Sequence, residues 1–430
     1  MRPFFDALWE NPAYTIFAAF LCAHPLGSGL LSAVGSLGFR SRPDATRWYV
    51  AEPDGLDRAR SRYPVISVVI PAHNEETVIA GALDAVLGIS WPELDVIVVD
   101  DGSTDETRRL VLPYVESGRV RLLRKSTNEG KSMAINDALP LCRGELVLLM
   151  DADGLPDAAV LEQMVPHFVD ATTVALVTGN PRVLNTRTFL ARLQAIEFSA
   201  TVGVQRRGDA VWGRLMTFSG LCALFDRSAI VGLGGFAPDM VTEDIDMTWR
   251  LQLAGREVVY EPAALFGMQA PESLGALWRQ RHRWVVGLAQ VLRRHTLRAL
   301  KPANWRMWPL LLTGGLSIVW AHALVGATLV WTLSEPLGVP PPEIAPFLAL
   351  FGAVTILAGI LQAVVGIRLD HRHDPGLVRQ FPWAPWFPLC YWVLCVLLVV
   401  RGTLPGLWRR PKLAVWNVPR EEYEAARAGR

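Results

Sequence analysis

Two hydrophobic patterns divide this chain. Long uncharged, mostly apolar runs occupy residues 13–34, 307–333, 344–367 and 383–400, each near or above the roughly 20 residues that cross ~30 Å of hydrocarbon. Between the first two runs the pattern changes to short β-branched stretches. Val65-Ile66-Ser67-Val68-Val69-Ile70 stops at Pro71, Val96-Ile97-Val98-Val99 ends at Asp100-Asp101-Gly102, and Leu146-Val147-Leu148-Leu149-Met150 ends at Asp151. Each reads as a buried parallel strand, and 76–88 and 105–116 carry helical spacing. This alternation over 64–270 predicts an α/β domain with a doubly wound, mostly parallel sheet, inserted between transmembrane helices. The predicted order is a membrane helix in 1–40, the α/β domain over 41–271, amphipathic interfacial helices over 272–306, about three membrane helices over 307–402, and a basic tail over 403–430.

Composition follows from those runs: of 430 residues, 51% are hydrophobic and only 19% charged. A formal net charge of +1 supplies no global field for nucleic acid. Five cysteines stand without CxxC spacing, so neither a zinc site nor a disulfide framework is predicted, and a cytosolic insert is acceptable on redox grounds. Asp6 and Glu10 precede the first run, which is also longer than a signal h-region; it reads as a retained helix. Arg40, Arg42, Arg47, Arg58, Arg60 and Arg62 place its C-terminal end in the cytoplasm. The loop 334–343, without Lys or Arg, reads as external, and 368–380, with Arg368, Arg372 and Arg379, as cytoplasmic. The last run conflicts with this alternation. If 383–400 crosses, Arg401, Arg409, Arg410 and Lys412 fall outside; Pro382, Pro385 and Pro388 offer a distorted or re-entrant segment instead.

Ligands of doubly wound sheets sit beyond the carboxyl ends of the strands. Here those ends carry His73-Asn74-Glu75, Asp100-Asp101 and Asp151-Ala152-Asp153, and no GxGxxG is present. Asp151 and Asp153 on one turn can face a diphosphate through a bridging Mg²⁺ or Mn²⁺, or the turn can be one in which Asp caps its own backbone. Carboxylates at the first two strand ends can accept hydrogen bonds from a base and a ribose; helix capping by Asn74 or Ser103 is the alternative. Lys131 offers a cation for phosphate, or is an ordinary solvated lysine. Thr242-Glu243-Asp244 precedes the amphipathic Ile245, Met247, Trp249 and Leu251. Its acids suit a general base that reaches a hydroxyl, or a capping box or first-turn acids. Gln280, Arg283 and Trp284, at i, i+3 and i+4, share one helix face as a hydrogen-bonding arm, a fixed charge and a flat platform for a sugar. An interfacial Trp among snorkelling arginines is the competing reading. His371-Arg372-His373 has metal-like spacing but fits an ordinary loop, and Trp305, Trp308, Trp320 and Trp331 fit aromatic belts.

In order, Pro71–Glu76, Asp100-Asp101, Asp151-Ala152-Asp153, Thr242-Glu243-Asp244 and Gln280–Trp284 resemble the processive family 2 glycosyltransferases, the group of the cellulose, chitin and hyaluronan synthases. Longer stretches are most similar to bacterial poly-β-1,6-N-acetylglucosamine synthases: Val177-Thr178-Gly179-Asn180-Pro181-Arg182, Phe218-Ser219-Gly220, 239–249, 279–284, Arg306-Met307-Trp308-Pro309 and Ala414-Val415-Trp416-Asn417-Val418-Pro419-Arg420. The resemblance implies a GT-A fold and inverting transfer of N-acetylglucosamine from UDP-GlcNAc to a growing polysaccharide. The setting it implies is the bacterial plasma membrane, with the catalytic domain cytoplasmic and the polymer exported. It implies a donor site of Pro71, Ala72, Glu75, Asp101, Lys131 and Asp151, with Glu75 and Asp101 at the uridine and Lys131 and Asp151 at the diphosphate. Asp153 would bind Mg²⁺ or Mn²⁺. Asp244, beside Glu243, would be the general base. Gln280, Arg283 and Trp284 would frame the acceptor terminus and the leaving UDP, with Ser219 and Gly220 nearby. Implied partners are the lipid bilayer, a small membrane accessory subunit and export proteins, and no nucleic acid.

Two departures stand out. Val285-Val286-Gly287-Leu288 follows Trp284 where the family usually has a smaller, more polar, Gly-rich sequence, and only one hydrophobic helix precedes the domain, whereas some relatives have two. Two other readings compete: a non-processive transferase that glycosylates a lipid, and a catalytically silent scaffold of an export complex. The intact Asp153, Asp244, Gln280, Arg283 and Trp284 argue against the second.

Overall fold

The computed structural model describes residues 12–39, 64–169, 173–334, 336, 345–408 and 413–415. The basic stretch 40–62, most of the loop 334–343, and Arg409, Arg410, Lys412 and 416–420 lie outside the described residues. The chain forms two units. An α/β unit holds Arg40–Thr186, Leu215–Ala276 and Arg410–Arg430; a helical unit holds Met1–Phe39, Arg187–Arg214 and Leu277–Arg409.

In chain order the elements begin with α1 (Pro12–Gly38), β1 (Ile66–Ala72), α2 (Ile79–Leu87), β2 (Leu94–Asp101), α3 (Thr107–Glu116), β3 (Val120–Lys125) and α4 (Lys131–Ala138). Next come β4 (Leu146–Met150), β5 (Leu155–Pro156), α5 (Val160–Met164), α6 (Pro166–Val169), β6 (Val174–Val183), α7 (Phe189–Glu197) and α8 (Val204–Trp212). The remainder are β7 (Cys222–Asp226), α9 (Arg227–Gly232), α10 (Glu243–Leu253), β8 (Glu257–Met268), α11 (Leu274–Ala299), α12 (Trp308–Ser334), α13 (Ala345–Asp370) and α14 (Trp386–Trp408).

The three apolar runs of the α/β unit are strands because both of their faces are covered. Every residue of β1 is buried. Ile66, Val68 and Ile70 join Val96, Val98, Leu146 and Leu148 against Ile79, Leu83 and Val86 of α2. Val69 points the other way with Ile97, Val99, Val147 and Leu149, against Ile135 of α4 and Met247 and Leu251 of α10. Successive side chains alternate between two apolar layers, so no polar alternation survives in the sequence. Each fully buried Val, Leu or Ile contributes about 1.5–3 kcal/mol, against roughly 0–1 for an exposed ion pair. The apolar layers therefore hold the sheet, and charges at its edge are available for chemistry.

The sheet is mixed, with order β3-β2-β1-β4-β7-β6-β8-β5. Its first half is parallel through β3/β2, β2/β1 and β1/β4. The second half adds antiparallel β4/β7, β7/β6 and β8/β5 around the parallel pair β6/β8. Chain order reverses at β1, and the crevice beyond β1 and β4 is the topological switch point. Helices α2 and α3 start later than their spacing predicts, at Ile79 and Thr107. The intervening backbone is committed to the strand-end loops described below.

In the helical unit, α1, α12, α13 and α14 supply four segments long and apolar enough to cross a membrane. The run 383–400 falls largely within a continuous 23-residue helix, Trp386–Trp408. Pro382 lies in the preceding 3₁₀ segment Pro375–Trp383, and Pro388 falls in the first turn of α14, where no intrahelical N–H is lost. Trp320 is not an aromatic-belt residue. It is 5% exposed, donates to the Leu21 carbonyl at 2.9 Å, and meets Trp392 edge-on, so it ties α12 to α1 and α14. Trp305 and Trp308 are exposed, as a belt requires. α1 and α8 cross at glycines: a Cβ at Gly35 would stand 2.9 Å from the Gly208 Cα.

Candidate active site

The loops after β1 and β2 are laced together. The Asn74 N–H donates to Ser103 Oγ (3.1 Å), Thr104 N–H to Asn74 Oδ1 (2.8 Å), Glu75 N–H to Thr107 Oγ1 (2.7 Å) and Glu76 N–H to Asp105 Oδ2 (3.1 Å). Asn74 sits at φ 56°, a left-handed conformation that Asn tolerates better than most residues. Neither Asn74 nor Ser103 is the expected helix cap. The cap positions are Val78 and Glu106, without side-chain caps.

Asp101 is fully buried. Its carboxylate accepts from the Gly130 N–H (2.7 Å) and the Glu129 N–H (3.1 Å), and it lies 3.4 Å from Lys125 Nζ. It therefore anchors the turn that presents Lys131, the first residue of α4. Gly130 makes that turn possible. Its φ is 91°, and a Cβ there would collide with the carbonyl oxygen of Ala414, whose N–H donates to Pro238 O at 2.9 Å.

Lys131 is the hub. Its Nζ lies 2.6 Å from Asp151 Oδ1 and 2.9 Å from Glu243 Oε1, and donates to the Gly220 carbonyl at 3.4 Å. Burial disfavours charge on this ammonium, but the Asp151 and Glu243 carboxylates outweigh it and hold its pKa above the ordinary lysine range. Burial also pushes the Asp151 carboxyl above the ordinary carboxylate range; Lys131 opposes this, while Asp153 and Glu243 add to it. Gly220 closes the other side. A Cβ there would be 3.2 Å from Lys131 Nζ, 3.6 Å from Asp244 Oδ2 and 3.8 Å from Glu243 Oε1. A recess at this point is lined by Pro71, Lys131, Phe218, Gly220, Phe236 and Glu243.

The acids Glu243 and Asp244 open α10, where the helix dipole favours negative charge. Thr242 makes no side-chain cap bond, so the capping box fails, while the first-turn-acid reading holds. Sequence reasoning found the apolar face of this helix but missed the buried polar side chains beside it. Thr248 Oγ1 accepts from the Phe218 N–H (3.0 Å) and donates to the Asp244 carbonyl (2.7 Å). Trp249 Nε1 donates to Met216 O, and Gln252 both donates to Leu215 O and accepts from its N–H. Thr178 Oγ1 accepts from the Ser219 N–H. The helix that carries Asp244 thus fixes the loop that carries Gly220. Polar residues inside an amphipathic helix were the only sequence signal.

Among the described residues, no three or more His, Cys, Asp or Glu gather into a metal cage. The donor set fits a hard divalent ion that leaves most of its shell to phosphate and water: two carboxylates on one turn, with Asp153 raising the cost of charging Asp151. His371 and His373 simply close α13, their N–H groups donating to Ile367 and Asp370 carbonyls.

Gln280, Arg283 and Trp284 lie on α11, in the helical unit. Arg283 is exposed and the other two are half-buried. Gln280 Oε1 accepts from Arg281 Nη1 at 2.9 Å, and the Arg281 guanidinium carbon stands 3.8 Å from the Trp284 ring centroid.

The profile of the family described as "Glycosyltransferase like family 2" matches residues 64–287. A poly-beta-1,6-N-acetyl-D-glucosamine synthase of Staphylococcus epidermidis is 30% identical over 359 residues, 82% of this chain and 87% of that protein. The protein of the same name from Staphylococcus aureus strain COL is 28% identical over 409 residues, 94% and 98% of the two chains. Among solved structures, the mannosyltransferase PcManGT from Pyrobaculum calidifontis, in complex with GDP-Man and Mn²⁺, superposes with TM-score 0.61 at 23% identity, covering 91% of this chain and 98% of that one.

Proposed function

The chain belongs to glycosyltransferase family 2, and from that premise we propose that it transfers N-acetylglucosamine from UDP-GlcNAc to a growing polysaccharide at the cytoplasmic face of a bacterial plasma membrane. The observation that carries this reading is the meeting of a cation, its two carboxylates and a separate acid around Gly220. Inverting transfer needs just those parts: a clamp for the leaving diphosphate and one base on the acceptor side. Near-full-length relatives named for this activity supply the choice of sugar.

In this reading Asp244 takes the proton from the acceptor hydroxyl as its oxygen attacks C1 of the donor sugar. The bond from C1 to the diphosphate oxygen breaks, and its electron pair leaves with UDP. Lys131, held protonated by its neighbours, offers its charge to that diphosphate. Asp151 and Asp153 would hold a Mg²⁺ or Mn²⁺, which neutralises phosphate charge when bound. Pro71, Ala72 and Glu75 border the nucleoside end, and Asp101 shapes it through the turn it anchors. Glu243 orients Lys131. Ser219 and Gly220 stand beside Lys131 and Asp244 in the α/β unit, and the role proposed for Gln280, Arg283 and Trp284 is to receive the acceptor terminus.

The test is incubation of the full chain in lipid nanodiscs with UDP-[¹⁴C]GlcNAc, followed by sizing of the product. Polymer formation abolished by Asp244→Asn is the expected result. A single sugar on an extractable lipid would sink the polymer claim and favour glycolipid synthesis.

A further inference from the structure

Between Gln280 and Arg283 lies Arg281, which is only 5% exposed. Its guanidinium makes five contacts, the loosest of them with the Phe198 ring, whose centroid is 5.9 Å away. Nη1 donates to Gln280 Oε1 (2.9 Å), Nε to Tyr391 Oη (2.8 Å) and Nη2 to Glu197 Oε2 (2.6 Å), while its face covers the Trp284 ring at 3.8 Å. The Tyr391 hydroxyl donates to the same Glu197 oxygen at 2.5 Å. A closed, buried triangle thus joins α7, α11 and α14 within the helical unit. Removing Glu197 would strand a buried charge, so the guanidinium is held in one place.

Two consequences follow from the chemistry of the group. A guanidinium has five N–H donors and no acceptor. Gln280 must therefore turn its oxygen toward Arg281, which leaves both amide N–H donors to a ligand. The planar cation over the indole also fixes that ring by cation–π attraction and occupies one of its two faces. A sugar stacking on Trp284 has only the other.

We propose that Arg281, pinned by Glu197 and Tyr391, is a positioning residue for the acceptor: it sets Gln280 as a hydrogen-bond donor and Trp284 as a one-faced sugar platform. The inference rests on the reading of Gln280 and Trp284 as the acceptor site. It also makes that site dependent on a residue of α14, a helix long and apolar enough to cross a membrane.

The full chain in lipid nanodiscs would be assayed with UDP-GlcNAc and a short N-acetylglucosamine oligosaccharide as acceptor, with KM measured separately for each and thermal unfolding followed in parallel. Tyr391→Phe removes one hydroxyl at constant volume. It is expected to raise the acceptor KM about tenfold, the equivalent of one charge-assisted hydrogen bond. The donor KM and the unfolding temperature should stay near wild type. Arg281→Lys should raise the acceptor KM at least as much, because an ammonium offers neither the fork nor the planar face. If Trp284→Ala raises the acceptor KM while Tyr391→Phe and Arg281→Lys do not, the positioning role is overturned and the platform reading stands. If Trp284→Ala leaves it unchanged, the platform reading fails and this inference with it. Equal changes in both KM values with a lowered unfolding temperature mark Arg281 as merely structural, and overturn the proposal.

Discussion

The two edges of the parallel half-sheet each hold a carboxylate–cation cluster, and they are built to opposite ends. At the amino edge Asp95 accepts from Ser67 Oγ (2.7 Å), from Arg121 Nε (2.9 Å) and Nη2 (2.7 Å), and from the Arg143 N–H (3.0 Å). Burial raises its pKa, but these hydrogen bonds and the Arg121 charge outweigh it and hold the carboxyl below the ordinary range. At the carboxyl edge one ammonium, Lys131, is divided between Asp151 and Glu243, and the Asp151 carboxyl is pushed up. The first cluster is complete as it stands. In the second, burial holds a carboxyl above the ordinary range with a recess beside it. The direction in which a buried carboxyl is shifted, more than the count of ion pairs, separates a structural cluster from one suited to an incoming ligand.

Four substitutions sharpen or break that contrast, in descending order of effect on turnover. Asp244→Asn removes the proposed base and should lower the transfer rate roughly 10³-fold with the unfolding temperature unchanged. Measured as UDP release, full activity would show the base to be another group. Lys131→Met should cost about 10²-fold, because the diphosphate loses its clamp and two carboxylates are left facing it. A milder, steric probe is Gly220→Ala. Its methyl carbon would stand 3.2 Å from Lys131 Nζ, and the small displacement should cost about tenfold in kcat at unaltered stability. Asp95→Asn should leave turnover per folded molecule intact while destabilising the α/β unit by about 2–3 kcal/mol.

The amino-edge cluster also carries a pH signature. Because the Asp95 pKa is lower folded than unfolded, its contribution is present above the ordinary carboxylate value of about 3.9. It is lost as pH falls from there through the folded value. Thermal unfolding of the wild type should therefore decline below about pH 4. Asp95→Asn should flatten that part of the decline, and an unchanged profile would remove Asp95 from the account.

The strands and apolar helices were legible because they depend on local pattern. Val68 and Val69 need only alternate between two apolar layers, and a long apolar run needs only length. The strand-end acids were legible for the same reason, since each follows directly from its strand. What covers an apolar face is not a local property. The alternation read over 64–270 gives no sign that Leu193, Ile196 and Ala200 pack with Leu277, Phe387 and Tyr391. Nor does it show that Arg187–Arg214 belongs with the helical unit. Long-range hydrogen bonds were equally hidden. Thr248 and Gln252 look like polar positions on an amphipathic helix until the loop 215–218, some thirty residues earlier, lies against them. Asp101 read as a ligand-facing acid, but its oxygens accept from a turn 28 and 29 residues further along.

The contact between Gly130 and Ala414 has a consequence for how the protein is made. The glycine that precedes Lys131 packs against a residue that leaves the ribosome only after α12, α13 and α14 have been synthesised. The sheet and its acids can assemble early, but this wall of the lysine turn is delivered last. The α/β unit therefore acquires its complete form only in molecules whose apolar helices have already been translated.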